Sequence, residues 1–143
     1  MTKKTNEMDG AKEAFLSVDA SNEIAGFIGS NRPTLTIQCR KLKPEVVVSV
    51  GIPLQHEPGE YDTYPVRVRF DDGKPIAQRW TGATNLEAAF SQNPRQLIVK
   101  LSQSKTFLFE FTPFEKAATT VTFSVSGLKE KFETVQDACG FTM

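Results

Sequence analysis

The sequence is poor in the residues that most often carry catalytic or metal chemistry. It contains one histidine, His56, and two cysteines, Cys39 and Cys139, which all lie far apart in the chain. Zinc sites need several such ligands at short spacings, and a catalytic dithiol needs a Cys-x-x-Cys pair, so neither is indicated. The sequence also lacks a Gly-x-Ser-x-Gly elbow, a phosphate-binding glycine loop and a dinucleotide fingerprint. We therefore predict that the protein is not an enzyme and uses no cofactor or metal.

Neither sign of charge is in excess. Lys plus Arg and Asp plus Glu each number 17 in the 143 residues. A chain with no net charge has no global field that would attract nucleic acid or an anionic membrane. We therefore predict that nucleic acid is not a partner and that any recognition by charge depends on local clusters.

Long apolar runs are also missing. No run approaches the roughly 18 residues that a membrane-spanning helix needs, so no membrane span is expected. Residues 1–13 are polar and lack the apolar h-region of a signal peptide. This start is typical of a cytosolic protein and equally of an exported domain whose leader has been removed, and both interpretations stay open.

The alternation of apolar and polar residues predicts an α+β fold that is mainly antiparallel β, either sandwich-like or a sheet covered by short helices. Residues 1–10 have no periodicity and are predicted to be a flexible tail, followed by a single β-rich domain at 11–143. About seven strands are predicted, at 14–18, 34–40, 45–50, 64–70, 74–80, 106–112 and 119–126. About three short helices are predicted, at 83–90, from 93 to about 101, and at 128–139. Long loops are predicted at 19–32 and 51–63.

The clearest hairpin signal is a pair of alternating runs joined by Asp-Asp-Gly at 71–73. A three-residue loop, with its glycine in the left-handed conformation, would pair Val68 with Ile76 and Tyr64 with Trp80. Only this register places the large apolar side chains of both strands on one face. We therefore predict the three-residue loop.

The two cysteines are both predicted to point into the interior. Cys39 lies on the apolar face of its strand, and Cys139 lies on the apolar side of the last helix. A disulfide between them would close a loop of about 100 residues, which the chain-entropy model values at up to about 4.7 kcal/mol. Two buried, reduced thiols would fit the same positions, so the spacing leaves both states open.

Three arginines form the strongest local cluster of charge. Arg67, Arg69 and Arg79 lie on the face opposite the apolar residues of the predicted hairpin. Arginine suits the binding of carboxylates or phosphates because its guanidinium is a planar fork of donors. The same residues could instead pair with carboxylates of neighbouring strands or stand in water.

The loop at 51–63 is the second candidate contact surface. It contains His56, Glu57, Glu60 and Tyr61, which we take with the arginines as candidate binding residues. Loops of this length are often functional. The carboxylates could hold a hard cation, but no regular calcium-loop spacing is present, and a solvated loop is the simpler interpretation.

Several motifs resemble those of the type VI secretion-associated accessory proteins of the VasI/TagO group, in the same order. They are RPTLTIQCR at 32–40, VRVRFDDGK at 66–74, QRW at 78–80, FEFTPF at 109–114, VTFSVSGL at 121–128 and ACG at 138–140. The resemblance extends from about residue 8 to residue 140. Two departures are Phe141, where that group usually has a tryptophan after Cys-Gly, and the absence of a leader followed by a tryptophan near the start.

The resemblance implies a periplasmic or envelope-associated protein. Members of that group are exported or lipid-anchored through a leader, occur also on prophages, and have no established reaction. Their two cysteine positions match Cys39 and Cys139, which implies the disulfide. The expected function is a non-enzymatic accessory or binding module that acts through contacts with a protein partner of unknown identity.

Two alternatives remain open from the sequence. One is a cytosolic phage or prophage protein that inhibits or regulates a host factor, with both cysteines reduced. The other is a binder of a small ligand or cell-wall fragment, in which Trp80 and Tyr64 would line a pocket, although both residues are predicted to be in the core.

Overall fold

The computed structural model describes residues 2–5, 12–26, 29–83, 85–133 and 136–140. The strands in these residues are β1 (Thr2–Thr5), β2 (Lys12–Asp19), β3 (Ile24–Ala25), β4 (Ser30–Asn31), β5 (Thr34–Arg40), β6 (Lys43–Ser49), β7 (Thr63–Phe70), β8 (Ile76–Gly82), β9 (Ala88–Phe90), β10 (Thr106–Phe111) and β11 (Thr119–Ser124). The helices are α1 (Pro94–Ser102), α2 (Leu128–Glu133) and α3 (Gln136–Cys139).

Most of the strands belong to one antiparallel sheet. Its nine described strands follow the order β1-β2-β5-β6-β9-β8-β7-β10-β11, and β3 and β4 form a separate small hairpin. The short helices pack on one part of this sheet, since α1 contacts β6 and α3 contacts β2 and β5. The predicted class, mainly antiparallel β with short helices, is confirmed. The predicted number of about seven strands was too low.

The predicted helix at 83–90 is wrong. Residues Ala88–Phe90 form β9, which pairs with β6 on one side and with β8 on the other. Leu86 has a φ of 62°, a conformation that a right-handed helix cannot contain. The side-chain oxygen of Asn85 accepts a hydrogen bond from the N–H of Glu87, two residues on, and so closes a turn. Pairing with two neighbouring strands overrides the local pattern here.

The amino-terminal end of the chain also differs from prediction. Thr2–Thr5, part of the predicted flexible tail, pair with β2 as strand β1, and residues 6–10 lie outside the described residues. The described parts of the amphipathic segment at 128–139 are helical, as α2 and α3, and residues 134–135 between them, including Val135, lie outside the described residues. Leu128, Phe132 and Cys139, which share one side of this segment at helical spacing, are all buried.

The sheet curls so that its β2 and β11 ends meet. Asn22, just after β2, donates from its side chain to the carbonyl of Thr120 and accepts from the N–H of Thr122. The N–H of Ser21 donates to the carbonyl of Thr122 at 2.7 Å. The loop after β2 thereby occupies part of the outer edge of β11. A sheet of this size with one apolar face buries that face by curling around it.

The predicted register of the β7–β8 hairpin is confirmed. Tyr64 pairs with Trp80 and Val68 pairs with Ile76. The turn is different, because Asp71 and not Gly73 has the positive φ, at 51°. One carboxylate oxygen of Asp71 accepts hydrogen bonds of 2.9 Å from the N–H groups of Lys105 and Thr106. These bonds to the start of β10 hold Asp71 in the left-handed conformation, which aspartate tolerates.

The hydrogen bonds to Asp71 predict a defined pH dependence of stability. The bond from the N–H of Lys105, and then that from Thr106, lower the pKa of Asp71 in the folded protein. The resulting stability is therefore fully present above the ordinary carboxyl pKa of about 4 and is lost as the pH falls through the lowered folded value. Asp71→Asn keeps an acceptor oxygen and the left-handed conformation but does not titrate. Urea unfolding between about pH 5 and about pH 2 should therefore show a smaller loss of unfolding free energy in Asp71→Asn than in wild type.

The amide signals of Lys105 and Thr106 provide the internal control. In wild type they should shift together as the pH falls and Asp71 protonates, and in Asp71→Asn this shift should be absent. An equal loss of stability with pH in the two proteins would show that the Asp71 carboxylate does not contribute in this way.

Candidate functional site

The three arginines lie on the outer face of the sheet, as predicted. Along β7, the buried residues Tyr64, Val66 and Val68 alternate with residues that face outward, among them Arg67 and Arg69. Arg79 faces outward from β8, next to the buried Trp80. The confirmed hairpin register places the arginines on one side because side chains alternate along each strand.

Arg67 forms a bidentate ion pair with Glu110. The two residues are direct cross-strand neighbours on β7 and β10. The Nε and Nη2 atoms of Arg67 donate to the two carboxylate oxygens of Glu110 at 2.7 and 2.8 Å. These hydrogen bonds raise the pKa of Arg67 and lower that of Glu110. Such two-pronged bonds fix the orientation of the guanidinium as well as its charge.

Arg79 joins the sheet to the loop at 51–63. Its Nη2 donates to the carboxylate of Glu57, and its Nη1 lies 3.4 Å from the hydroxyl of Thr63. The hydrogen bond to Glu57 raises the pKa of Arg79. The two candidate surfaces of the sequence, the arginine face and the loop, are therefore brought together at this pair.

Arg69 has a different role from the other two arginines. Its Nε donates to the backbone carbonyl of Gly73 at 2.8 Å, and its guanidinium is 3.9 Å from the carboxylate of Asp72. Both contacts lie within its own hairpin. Arg69 therefore stabilises the β7–β8 turn.

An open groove lies between the two ion pairs of Arg67 and Arg79. Its volume is about 560 Å³. The pairs form its sides, and the small or compact side chains of Pro65 and Ala77 lie between them. A second groove, of about 160 Å³, adjoins it at Arg67 and Glu110 and continues toward Arg69. We call the first of these, lined by Glu57, Pro65, Arg67, Ala77, Arg79 and Glu110, the arginine groove.

Some of the candidate residues in the loop at 51–63 pack against the core, and others are exposed to solvent. The ring of His56 stacks on that of Tyr64, with centroids 4.2 Å apart, and its Nδ1 lies 3.0 Å from the carbonyl of Thr63. A carbonyl only accepts, so Nδ1 carries the hydrogen of this bond. Tyr61 is 71% exposed, and Glu60 is exposed as well. Of the loop candidates, Glu57 lines the arginine groove, whereas His56 packs against the core.

The loop is attached to the rest of the domain along its length. The N–H of Leu54 donates to the carbonyl of Leu86, and that of Gln55 donates to the carbonyl of Thr112. The carbonyl of Pro53 accepts from the N–H of Phe114 at 2.9 Å. Glu57 is therefore presented to Arg79 by a segment that neighbouring loops hold in place.

Tyr64 and Trp80 belong to the core. Each is 1% exposed, and the rings of Trp80 and Phe109 are 4.9 Å apart. The indole N–H donates to the side-chain oxygen of Gln78. The hydroxyl of Tyr64 has no hydrogen-bond partner in the described part of the chain, and burial raises the pKa of Tyr64. Neither residue lines the arginine groove.

Sequence reasoning missed Glu110 as a site residue. Its position between Phe109 and Phe111 shows that it faces outward, opposite to their buried side chains. It could not show that β10 lies beside β7, and only this neighbour relation makes Glu110 the partner of Arg67. Pro65 and Ala77 lie opposite Arg79 and Arg67 in the predicted hairpin register, and they were not singled out because neither side chain carries a charge or a polar group.

Cys39 and Cys139 form a disulfide. Their Cα atoms are 4.8 Å apart, and both residues are buried. The bond attaches α3 to β5 near the contact of α3 with β2. A disulfide is compatible with an oxidising compartment.

The part of the chain that the structure describes includes no helix with the length and apolar character of a membrane span. Within those same residues, no group of three or more His, Cys, Asp or Glu side chains is arranged to hold a metal ion. Comparisons of the chain with models of protein families, with curated proteins and with solved structures find no match.

Removing the disulfide should lower stability substantially. In Cys39→Ala with Cys139→Ala, the unfolded chain regains the freedom that a cross-link over a sequence separation of 100 residues removes. We expect the free energy of unfolding, measured in urea, to fall by about 2–5 kcal/mol. Reductant should lower the stability of wild type toward that of the variant and leave the variant unchanged. Equal stability of wild type and variant without reductant would contradict a disulfide in the folded protein.

Proposed function

We propose that this protein is a non-enzymatic accessory module of an oxidising, envelope-associated compartment, and that it binds a protein partner at the arginine groove. The resemblance to the VasI/TagO accessory proteins suggests a role related to type VI secretion. It also suggests export through a leader, with a lipid anchor as the means of attachment. The disulfide between Cys39 and Cys139 supports the compartment.

The observation that carries the proposal is that the arginines flanking the groove are held in a fixed orientation and are still exposed to solvent. Arg67 is held by two bonds to Glu110, yet its side chain is 56% exposed. A guanidinium has several N–H donors, and Nη1 of Arg67 is not used in this pair. An arginine whose orientation is already fixed loses little side-chain entropy when a partner binds to its remaining donors. The groove is therefore suited to carboxylates or carbonyls of a partner.

The position of the single histidine favours a binding role over catalysis. His56 is stacked on Tyr64 and bonded to Thr63, and it does not line the groove. A small-ligand pocket built on Trp80 and Tyr64 is disfavoured because both side chains are buried in the core. The groove is open and bordered by charged pairs, which is typical of the polar part of a protein interface.

A charge-swapped variant tests the groove. Arg67→Glu with Glu110→Arg keeps one ion pair across β7 and β10 but reverses which side of the groove carries each charge. Because the pair is exposed, we expect the variant to melt within about 5 °C of wild type. Its capture of proteins from an envelope extract, quantified after cross-linking by mass spectrometry, should fall at least about tenfold for the specific partner.

The matched control is another outward-facing pair in the same sheet. Gln38 on β5 donates to Glu45 on β6 at 3.0 Å. The variant Gln38→Glu with Glu45→Gln alters this pair and leaves the arginine groove intact, so it should retain the partner. Undiminished capture by a folded Arg67/Glu110 swap would refute binding at the groove.

A further inference from the structure

One edge of β8 is open along most of its length. On one side β8 pairs with β7 from Ile76 to Thr81. On the other side only Thr81 and Gly82 pair with β9. In the described residues, no strand lies beside the segment Ile76–Trp80 on that second side.

The backbone of Ala77 and Arg79 points toward this open side. The N–H of Asp71 donates to the carbonyl of Thr106, so the odd-numbered residues at this end of β7 direct their backbone groups toward β10. Even-numbered residues of β7 therefore bond to β8, and the register pairs them with even-numbered residues of β8. Since backbone groups alternate in direction along an antiparallel strand, the N–H and C=O groups of Ala77 and Arg79 face away from β7.

Two further features support this assignment. Pro65 of β7 lies opposite Arg79. A proline has no N–H, so it fits a position whose backbone groups do not bond to β8. Just beyond β8, the N–H of the odd-numbered residue Ala83 donates to the carbonyl of Ala88 in β9, which agrees with the odd-numbered backbone groups facing that side. Within the described residues, neither Ala77 nor Arg79 has a paired strand on the open side or a backbone hydrogen bond to a turn or loop, and both residues are exposed.

The edge of β11, unlike that of β8, is covered by another segment of the chain. There the side chain of Asn22 and the backbone of Ser21 bond to the outward groups of Thr120 and Thr122. Proteins commonly cover sheet edges in this way, because an uncovered edge pairs readily with another chain. The open segment of β8 borders the arginine groove, since Ala77 and Arg79 also line that groove.

We infer that the partner contributes an extended peptide segment that adds to the sheet along the Ile76–Arg79 edge of β8. This inference rests on the proposed function, because it names the form in which the partner is bound at the same site. Main-chain hydrogen bonds to Ala77 and Arg79 would provide affinity, and alternating side chains would provide selectivity.

The surroundings of the edge define the chemistry of the segment. A side chain opposite Arg79 lies on the outer face beside a guanidinium that is 39% exposed and whose Nε is not used in its bonds to Glu57 and Thr63, and a carboxylate is favoured there. A side chain opposite Gln78 lies on the other face, near Ile76, which is 45% exposed and can be covered by an apolar residue. The segment therefore alternates acidic and apolar side chains.

A second copy of this protein fits the edge poorly. Pairing of two β8 strands about Gln78 would bring Pro75 of the other copy opposite Thr81, a place that β9 already occupies. Pairing about Ala77 would set Arg79 against that same proline, which has no N–H to donate. Pairing about Arg79 would oppose two like charges and again require the edge of Thr81. A separate peptide can end before β9 and meets none of these obstacles.

Amide hydrogen exchange of the full chain tests the inference with a defined probe. The probe is a synthetic peptide of about six residues that alternates Glu and Val, with blocked ends, at millimolar concentration. We expect the amides of Ala77 and Arg79 to exchange at least about tenfold more slowly in its presence. The same peptide methylated on alternate backbone nitrogens, so that it cannot donate to the edge, should give no such slowing.

A proline substitution provides the matching change in the protein. Ala77→Pro removes an N–H that faces away from β7, so the β7–β8 ladder is kept, whereas Ala77→Val retains that N–H as a control. The peptide should bind Ala77→Pro at least about tenfold more weakly than Ala77→Val. If Ala77→Pro does not fold, the methylated peptide still decides the question. Equal slowing of exchange by both peptides, or none by either, would overturn the inference.

The outcome is separable from that of the proposed function. The Arg67→Glu with Glu110→Arg variant keeps the β8 edge, so it should still bind the synthetic peptide even though it loses the partner from the extract. If that variant loses the partner but the peptide does not protect Ala77 from exchange, binding at the groove is supported and strand addition is rejected. If the peptide protects Ala77 and the charge-swapped variant still captures the partner, strand addition at the β8 edge is supported and the role of the groove charges is rejected.

Discussion

The burial of a single apolar face along one long antiparallel sheet is the constraint on which the rest of this structure depends. Strands from β2 to β11 direct alternate side chains into one continuous core, which includes Trp80, Phe109 and Cys39. A flat sheet would leave that face in water, so the sheet curls and the loop at Asn22 connects its ends. The disulfide and the short helices complete the enclosure on the side of β2, β5 and β6.

The same constraint produces the candidate site. Because every second residue of β7, β8 and β10 must face the core, the remaining residues form a polar outer surface on which Arg67 and Glu110 become neighbours. Such exposed pairs contribute little to stability, since water screens them and holding two side chains costs entropy. Their effect is on orientation, because they hold charged groups in place beside a groove with a proline and an alanine between them. The short length of β9 leaves the neighbouring edge of β8 open at the same place.

Local patterns failed where pairing with distant strands decided the conformation. The helix predicted at 83–90 is replaced by β9, because β6 and β8 offer hydrogen bonds on both sides of Ala88–Phe90. Gly73 was assigned the left-handed position of the hairpin turn, but the amides of Lys105 and Thr106 stabilise Asp71 in that conformation instead. In both cases one deciding partner, β6 for Ala88–Phe90 and the start of β10 for Asp71, is far away in the sequence, beyond the reach of turn and helix propensities.

The sequence by itself determined the class of the fold, the faces of most strands, the register of the β7–β8 hairpin and the inward direction of both cysteines. These follow from alternation and from the requirement that large apolar side chains be buried together, which are properties of neighbouring residues. Only the tertiary structure decided the order of the strands, the pairing of Arg67 with Glu110 and of Arg79 with Glu57, and the open edge of β8. The alternation of apolar and polar residues determines which face of the sheet each side chain occupies, but it does not determine which strands are neighbours. The order of the strands depends on how the whole apolar face can be enclosed.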